Sequence, residues 1–222
     1  MSQGPPTPTS AHAAPYRVHV LHRWVVWVLV GLVAAAGIGV AVGVDRALFS
    51  GEAQFSWPPE PCVVQGIDAR CGTFVVPENR ADPDGRTIGL NVVVLPVAFE
   101  PARKDAVTFL AGGPGDAATE EGLAQGWQSS ALNTNRDFLL VDQRGTGRSN
   151  PHGGDVTQYG TRMAMDDLDE VRAALGYRQL DVIGSSYGAT AAQVYLKLHS
   201  ASVRTLILTG ATAIDVPYFD RY

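Results

Sequence analysis

The chain has 222 residues, 45% of them hydrophobic and 18% charged, with 22 acidic against 17 basic side chains and a net charge of −5. That length suits one domain with a tail. The acidic balance argues against nucleic acid as a partner.

Residues 1–23 are rich in Pro, Ala, Ser and Thr and carry Arg17 and Arg23 but no acid. From Trp24 to Val44 no residue is charged. A helix of about 21 residues at 1.5 Å each spans roughly 30 Å, enough to cross the hydrocarbon core of a bilayer. The first acid in the chain is Asp45. Positive charge before the span and acid after it predict a cytoplasmic N-terminus and export of the residues beyond the span. An uncleaved signal anchor fits the span; a cleaved signal peptide is the rival, and no clear Ala-x-Ala site comes after Val44. The expected location is therefore the cell membrane with the bulk of the chain outside the cytoplasm, or secretion if the segment is removed. Trp24 and Trp27 belong to the membrane interface.

All 22 acids and 15 of the basic residues lie from Asp45 onward. So do Cys62 and Cys71, the two cysteines of the chain. In an exported segment a disulfide persists, and one closing so short a loop contributes roughly 2–3 kcal/mol in the chain-entropy view. Two thiols without nearby histidines do not make a metal site.

Residues 45–61 read as a linker, and 62–222 as the folded domain. Strands are expected over 73–76 and 87–95, joined through Asp82-Pro83-Asp84-Gly85. Ile88, Leu90, Val92 and Val94 alternate in the second and bury one face. Residues 106–110 form a short apolar strand ending in Gly112-Gly113-Pro114-Gly115, and 138–141 another, ending in Asp142-Gln143-Arg144-Gly145-Thr146-Gly147-Arg148-Ser149. Ala164, Leu168, Val171 and Leu175 share one helical face, with Gly176 as the stop. The helix carries Asp166, Asp167, Asp169 and Glu170, which read as a solvated face. Residues 180–183 lead into Gly184-Ser185-Ser186-Tyr187-Gly188, a helix runs from Ala189 to Leu198, and 203–208 reads as one more buried strand. Strands alternating with helices argue for a mostly parallel α/β sheet behind an antiparallel start.

The Gly-x-Ser-x-Gly stretch between a strand and a helix is the pattern of a nucleophile elbow, whose glycines accommodate close approach and strained dihedrals while the serine stands exposed. Three glycine-rich corners thus close three successive strands, at the sheet edge where α/β proteins place their sites. Together with Cys71-Gly72-Thr73-Phe74-Val75-Val76-Pro77 and Asp166-Asp167-Leu168, these corners resemble the α/β-hydrolase superfamily. Within it they resemble the exported proline iminopeptidase and tripeptidyl aminopeptidase group.

The resemblance implies that Ser186 is the nucleophile and that the backbone N–H of Tyr187 forms one arm of an oxyanion hole. It implies that the second arm comes from the loop 112–115, at Gly113, where glycine lets the backbone come within about 3 Å of the oxyanion. The substrate would be a peptide or small ester, and no cofactor or metal is implied. Asp142 and Arg144 read as braces of their turn. A triad in this superfamily runs Ser, acid, His. His199, at the far end of the helix, lies roughly 20 Å from Ser186 and reads as a surface residue. His152 precedes the nucleophile in a polar loop. Asp215 and Asp220 have no histidine to orient.

The expectation is therefore an incomplete α/β-hydrolase fold, its last strands and cap missing, preceded by one transmembrane helix. It would be a serine hydrolase acting on peptide N-termini that lacks its triad acid and histidine. The alternatives are a catalytically inactive product serving as an envelope interaction module, and an esterase or lipase of the same fold.

Overall fold

The computed structural model describes residues 57–97, 102–126, 131–149 and 153–214. The segment 24–44, His152, Asp215 and Asp220 lie outside them. Among the described residues no helix is long and apolar enough to cross a membrane.

Seven strands form one sheet: β1 (Glu60–Val64), β2 (Ile67–Pro77), β3 (Thr87–Leu95), β4 (Asp105–Leu110), β5 (Phe138–Val141), β6 (Gln179–Ser185) and β7 (Val203–Thr209). Among the described residues three α-helices accompany them, α1 (Ala118–Ala124), α2 (Thr161–Ala174) and α3 (Tyr187–Leu198). The spatial order is β1-β2-β3-β5-β4-β6-β7. β1, β2, β3 and β5 pair antiparallel in turn, whereas β4 pairs parallel with β5 and β6, and β6 with β7. The mixed sheet expected from the sequence is thus present. β1 begins at Glu60, inside the stretch read as a linker, because Gln65 and Gly66 at positive φ turn the chain back onto β2. The Cys62–Cys71 disulfide bridges this hairpin.

The sheet buries both faces. Val92, Val94, Leu139, Leu180 and Val182 point into one core with Met165, Leu168 and Val171 of α2 and Ala191, Ala192 and Tyr195 of α3. Val93, Leu95, Phe109, Phe138, Leu140 and Ile183 point into the other, with Ala118 and Leu123 of α1. β4 and β5 are buried at every residue, which is why their sequences read as mainly apolar runs; the buried Thr108 hydroxyl of β4 donates to the Leu139 carbonyl. β7 departs from expectation: it is the edge strand, and its residues Arg204, Thr205, Ile207 and Thr209 are exposed.

The order reverses at β4, which has β5 on one side and β6 on the other although both come after it in sequence. The chain therefore leaves β4 and β6 toward opposite sides of the sheet, the kind of reversal at whose C-terminal edge α/β proteins place their sites.

Candidate active site

Ser186 stands at that edge, between the last residue of β6 and the first of α3. It is exposed, with φ +53° and ψ −119°. A residue with a Cβ pays about 1–3 kcal/mol for such a conformation, so its surroundings must enforce it. They do so through close packing. A methyl group on Gly184 would lie 2.5 Å from the carbonyl oxygen of Gly188. One on Gly188 would lie 1.9 Å from that of Leu110, at the end of β4. The strand, the turn and the helix therefore fold onto one another and onto β4 with no room for side chains. The flanking glycines supply close approach; neither has a positive φ, and the strained dihedral falls on Ser186 itself. From the other side, the Ser186 N–H donates to the Thr209 carbonyl at 2.8 Å, which ties the turn to the end of β7.

The loop after β4 lies against the same residue. A methyl group on Gly112 would come 3.6 Å from the Ser186 Cβ. The Gly112 N–H is already spent, donating to Glu121 Oε2 of α1 at 2.9 Å. Gly113 is exposed, with φ +97°, a value that favours glycine. Among the described residues nothing accepts a hydrogen bond from the N–H of Gly113 or of Tyr187. Tyr187 opens a helix of 12 residues, whose N-terminus favours negative charge.

The corner after β5 is a brace. Asp142 is fully buried. Its Oδ1 accepts from the Thr119 N–H at 2.9 Å, and its Oδ2 from Thr119 Oγ1 at 3.0 Å, Asn91 Nδ2 at 2.9 Å and the Arg148 N–H at 3.2 Å. Fully buried and accepting four hydrogen bonds from its own surroundings, this carboxylate is committed to holding the corner. Arg144 is also buried; its Nε and Nη2 donate to Asp167 at 2.7 and 2.8 Å, and its Nη1 to the carbonyls of Glu78 and Gln158, both at 2.8 Å. Next to it, burial and then the Glu78 carboxylate that accepts its proton at 2.6 Å push the Tyr159 phenol up to about 12.

Two residues sit differently from their sequence reading. Asp167 is buried rather than solvated, because Arg144 and Arg80 both pair with it. His199 is half-buried rather than a surface residue: Nε2 lies 2.9 Å from Asp166 Oδ1, and the ring packs against Tyr195 with centroids 5.3 Å apart. Its place at the C-terminal end of α3 keeps it away from Ser186. Asp169, Tyr195 and Arg172 complete that cluster. No group of acidic, histidine or cysteine side chains among the described residues could hold a metal.

Sequence reasoning did not find Glu121, Thr119 or Asn91. They fall in no motif, and α1, which carries the first two, has only seven residues and no periodic apolar face to announce it. A cleft of about 410 Å³ opens between this helix, Gly115 and Gly147, and Asp116, Glu120 and Glu121 line it.

An elbow serine at the head of a helix, under a glycine loop at the sheet's switch point, defines the class. The sequence model described as alpha/beta hydrolase fold matches residues 105–222, more than half of the chain, and the protein belongs to that family. Within it the chain is related to the proline iminopeptidases. It is 32% identical over 173 residues to the proline iminopeptidase of Aeromonas sobria, covering 68% of this chain and 39% of that protein. Against the Neisseria gonorrhoeae enzyme of the same name it is 34% identical over 104 residues, covering 47% and 32%. The crystal structure of the Mycobacterium smegmatis proline iminopeptidase superposes with a TM-score of 0.48 at 20% identity, covering 61% of this chain and 42% of that one. The chain thus spans well under half the length of the relatives it matches.

Proposed function

We propose that residues 62–222 belong to a serine hydrolase that removes residues from peptide N-termini through an acyl-enzyme. Ser186 Oγ attacks the scissile carbonyl carbon and gives its proton to a general base. The carbonyl oxygen becomes an oxyanion that accepts from the N–H groups of Tyr187 and Gly113. The C–N bond then breaks, the proton passes to the leaving amine, and water hydrolyses the Ser186 ester.

The observation that carries this reading is the exposed Ser186 held at φ +53° beneath Gly112. Backbone strain enforced by the close-packed Gly184 and Gly188 has no use in a turn that merely ends a strand. Asp116 and Glu120, exposed beside Gly115, complement a protonated N-terminal amine better than a neutral ester. The relatives' name, proline iminopeptidase, points the same way.

The general base and its acid lie outside the described residues. His199, the one histidine among them, is committed to Asp166 at the wrong end of α3. The 39% share of the Aeromonas sobria enzyme supports a longer whole protein that supplies both. Residues 24–44 anchor the domain in the cell membrane with residues from Asp45 outside the cytoplasm. The uncharged run and the Arg-before, Asp-after asymmetry support this.

Hydrolysis of prolyl-p-nitroanilide and of p-nitrophenyl acetate by protein isolated from its own envelope tests the assignment. Anilide cleavage that N-acetylation of the prolyl group and Ser186→Ala both abolish is the expected result. Ester cleavage without anilide cleavage would favour an esterase, and inertness toward both an interaction module.

A further inference from the structure

We infer that Thr161, the first residue of α2, is a positioning residue for the elbow, acting through the side chain of Tyr187. The inference rests on the proposed role of Ser186 and names a residue that role does not include. The hydroxyls of Thr161 and Tyr187 are 2.8 Å apart, joining two elements 26 residues apart in sequence. The Tyr187 ring is half-buried, and on one side it borders a cavity of about 220 Å³ shared with Pro114, Gly145, Tyr159 and Ala164. The ring packs against the core on its other side, but beside the void it loses contact atoms. The hydrogen bond adds a directional hold where that packing is missing. It also reaches back to the backbone, because the ring belongs to the residue that follows Ser186 and opens α3, its N–H unclaimed among the described residues.

Thr161 is suited to the task in two respects. Its hydroxyl does not cap its own helix: the residue before α2 is Gly160, and no side-chain cap closes that end. Its helix is well anchored, since Asp167, on the same helix, takes both arms of Arg144 and a further contact from Arg80. A loop hydroxyl making the same contact would move with the loop.

Labelling kinetics with a fluorophosphonate on the whole protein isolated from its own envelope, wild type and variants alike, test this, resolving the inactivation rate constant from reagent affinity. A hydrogen bond of ordinary net strength predicts a loss of about 3- to 10-fold in the inactivation rate constant of Thr161→Val. Affinity stays unchanged, because only the transition state uses the aligned N–H. Thr161→Ser restores the rate, and Thr161→Val/Tyr187→Phe is no slower than either single variant. Hydrogen exchange runs beside it: peptides spanning 186–190 exchange faster in Thr161→Val, and those of β4 and β5 do not change. A wild-type labelling rate in Thr161→Val, or losses that multiply in the double variant, would overturn the inference. Should Ser186 not label in the wild type, the nucleophile reading falls. Exchange then decides the positioning role: faster elbow exchange in Thr161→Val upholds it, and identical exchange ends it.

Discussion

Arg144 and Asp167 meet as two parallel hydrogen bonds, Nε to Oδ2 at 2.7 Å and Nη2 to Oδ1 at 2.8 Å, both side chains removed from solvent. The remaining guanidinium nitrogen holds the carbonyls of Glu78 and Gln158. One buried cation thus fastens the end of β2, the corner after β5 and helix α2 beneath the candidate site. Its charge is answered, and its planar fork is what lysine lacks.

Removing one partner of such a pair leaves an uncompensated buried charge, which costs about 3–5 kcal/mol. Asp167→Ala is therefore expected to lower unfolding stability by that amount in urea titration. Glu170→Ala, which removes an exposed contact to Arg80, should stay within about 1 kcal/mol. Equal effects of the two would mean the pair is not the brace described.

The strain at Ser186 has a measurable consequence independent of chemistry. Glycine occupies φ +53° without the Cβ penalty, so Ser186→Gly is expected to be more stable than Ser186→Ala by about 1–2 kcal/mol. Thermal unfolding of the two variants reads the difference. Alanine equal to or above glycine would place Ser186 in ordinary backbone.

Asp169 gives an acid-dependent contribution. Burial alone would raise its carboxyl, but hydrogen bonds from Arg172, Tyr195 and Ser202 outweigh burial and hold it at about 2, below the usual 3.8. A depressed folded value means the stabilisation is complete above the unfolded value and is lost as pH falls from about 4 toward 2. Asp169→Asn should flatten the fall of stability across that window. An unchanged slope would assign the acid sensitivity to other carboxylates.

The site's frame was legible where local chemistry and position coincide. Gly184, Ser186 and Gly188 mark the elbow because no other residues fit where Gly188 packs on Leu110, and the apolar runs of β4 and β5 mark strands buried on both faces. Which residue bears the strain was not legible, since glycine's freedom and glycine's smallness leave the same letter. Asp166 and Asp167 are neighbours of one type, yet one meets His199 near the surface and the other Arg144 in the interior; only tertiary contact separates them. Thr161 and Glu121 were illegible for the same reason, each acting on a residue of another element. β7 read as buried from its composition, whereas exposure depends on its place at the sheet's edge.

Fluorophosphonate labelling of the whole protein isolated from its own envelope, with the modified residue located by peptide mass spectrometry, is the decisive test of Ser186 as the nucleophile. One phosphonylated site is expected, at Ser186, and none in Ser186→Ala. Equal labelling of the two proteins, or adducts on another serine alone, would contradict the assignment.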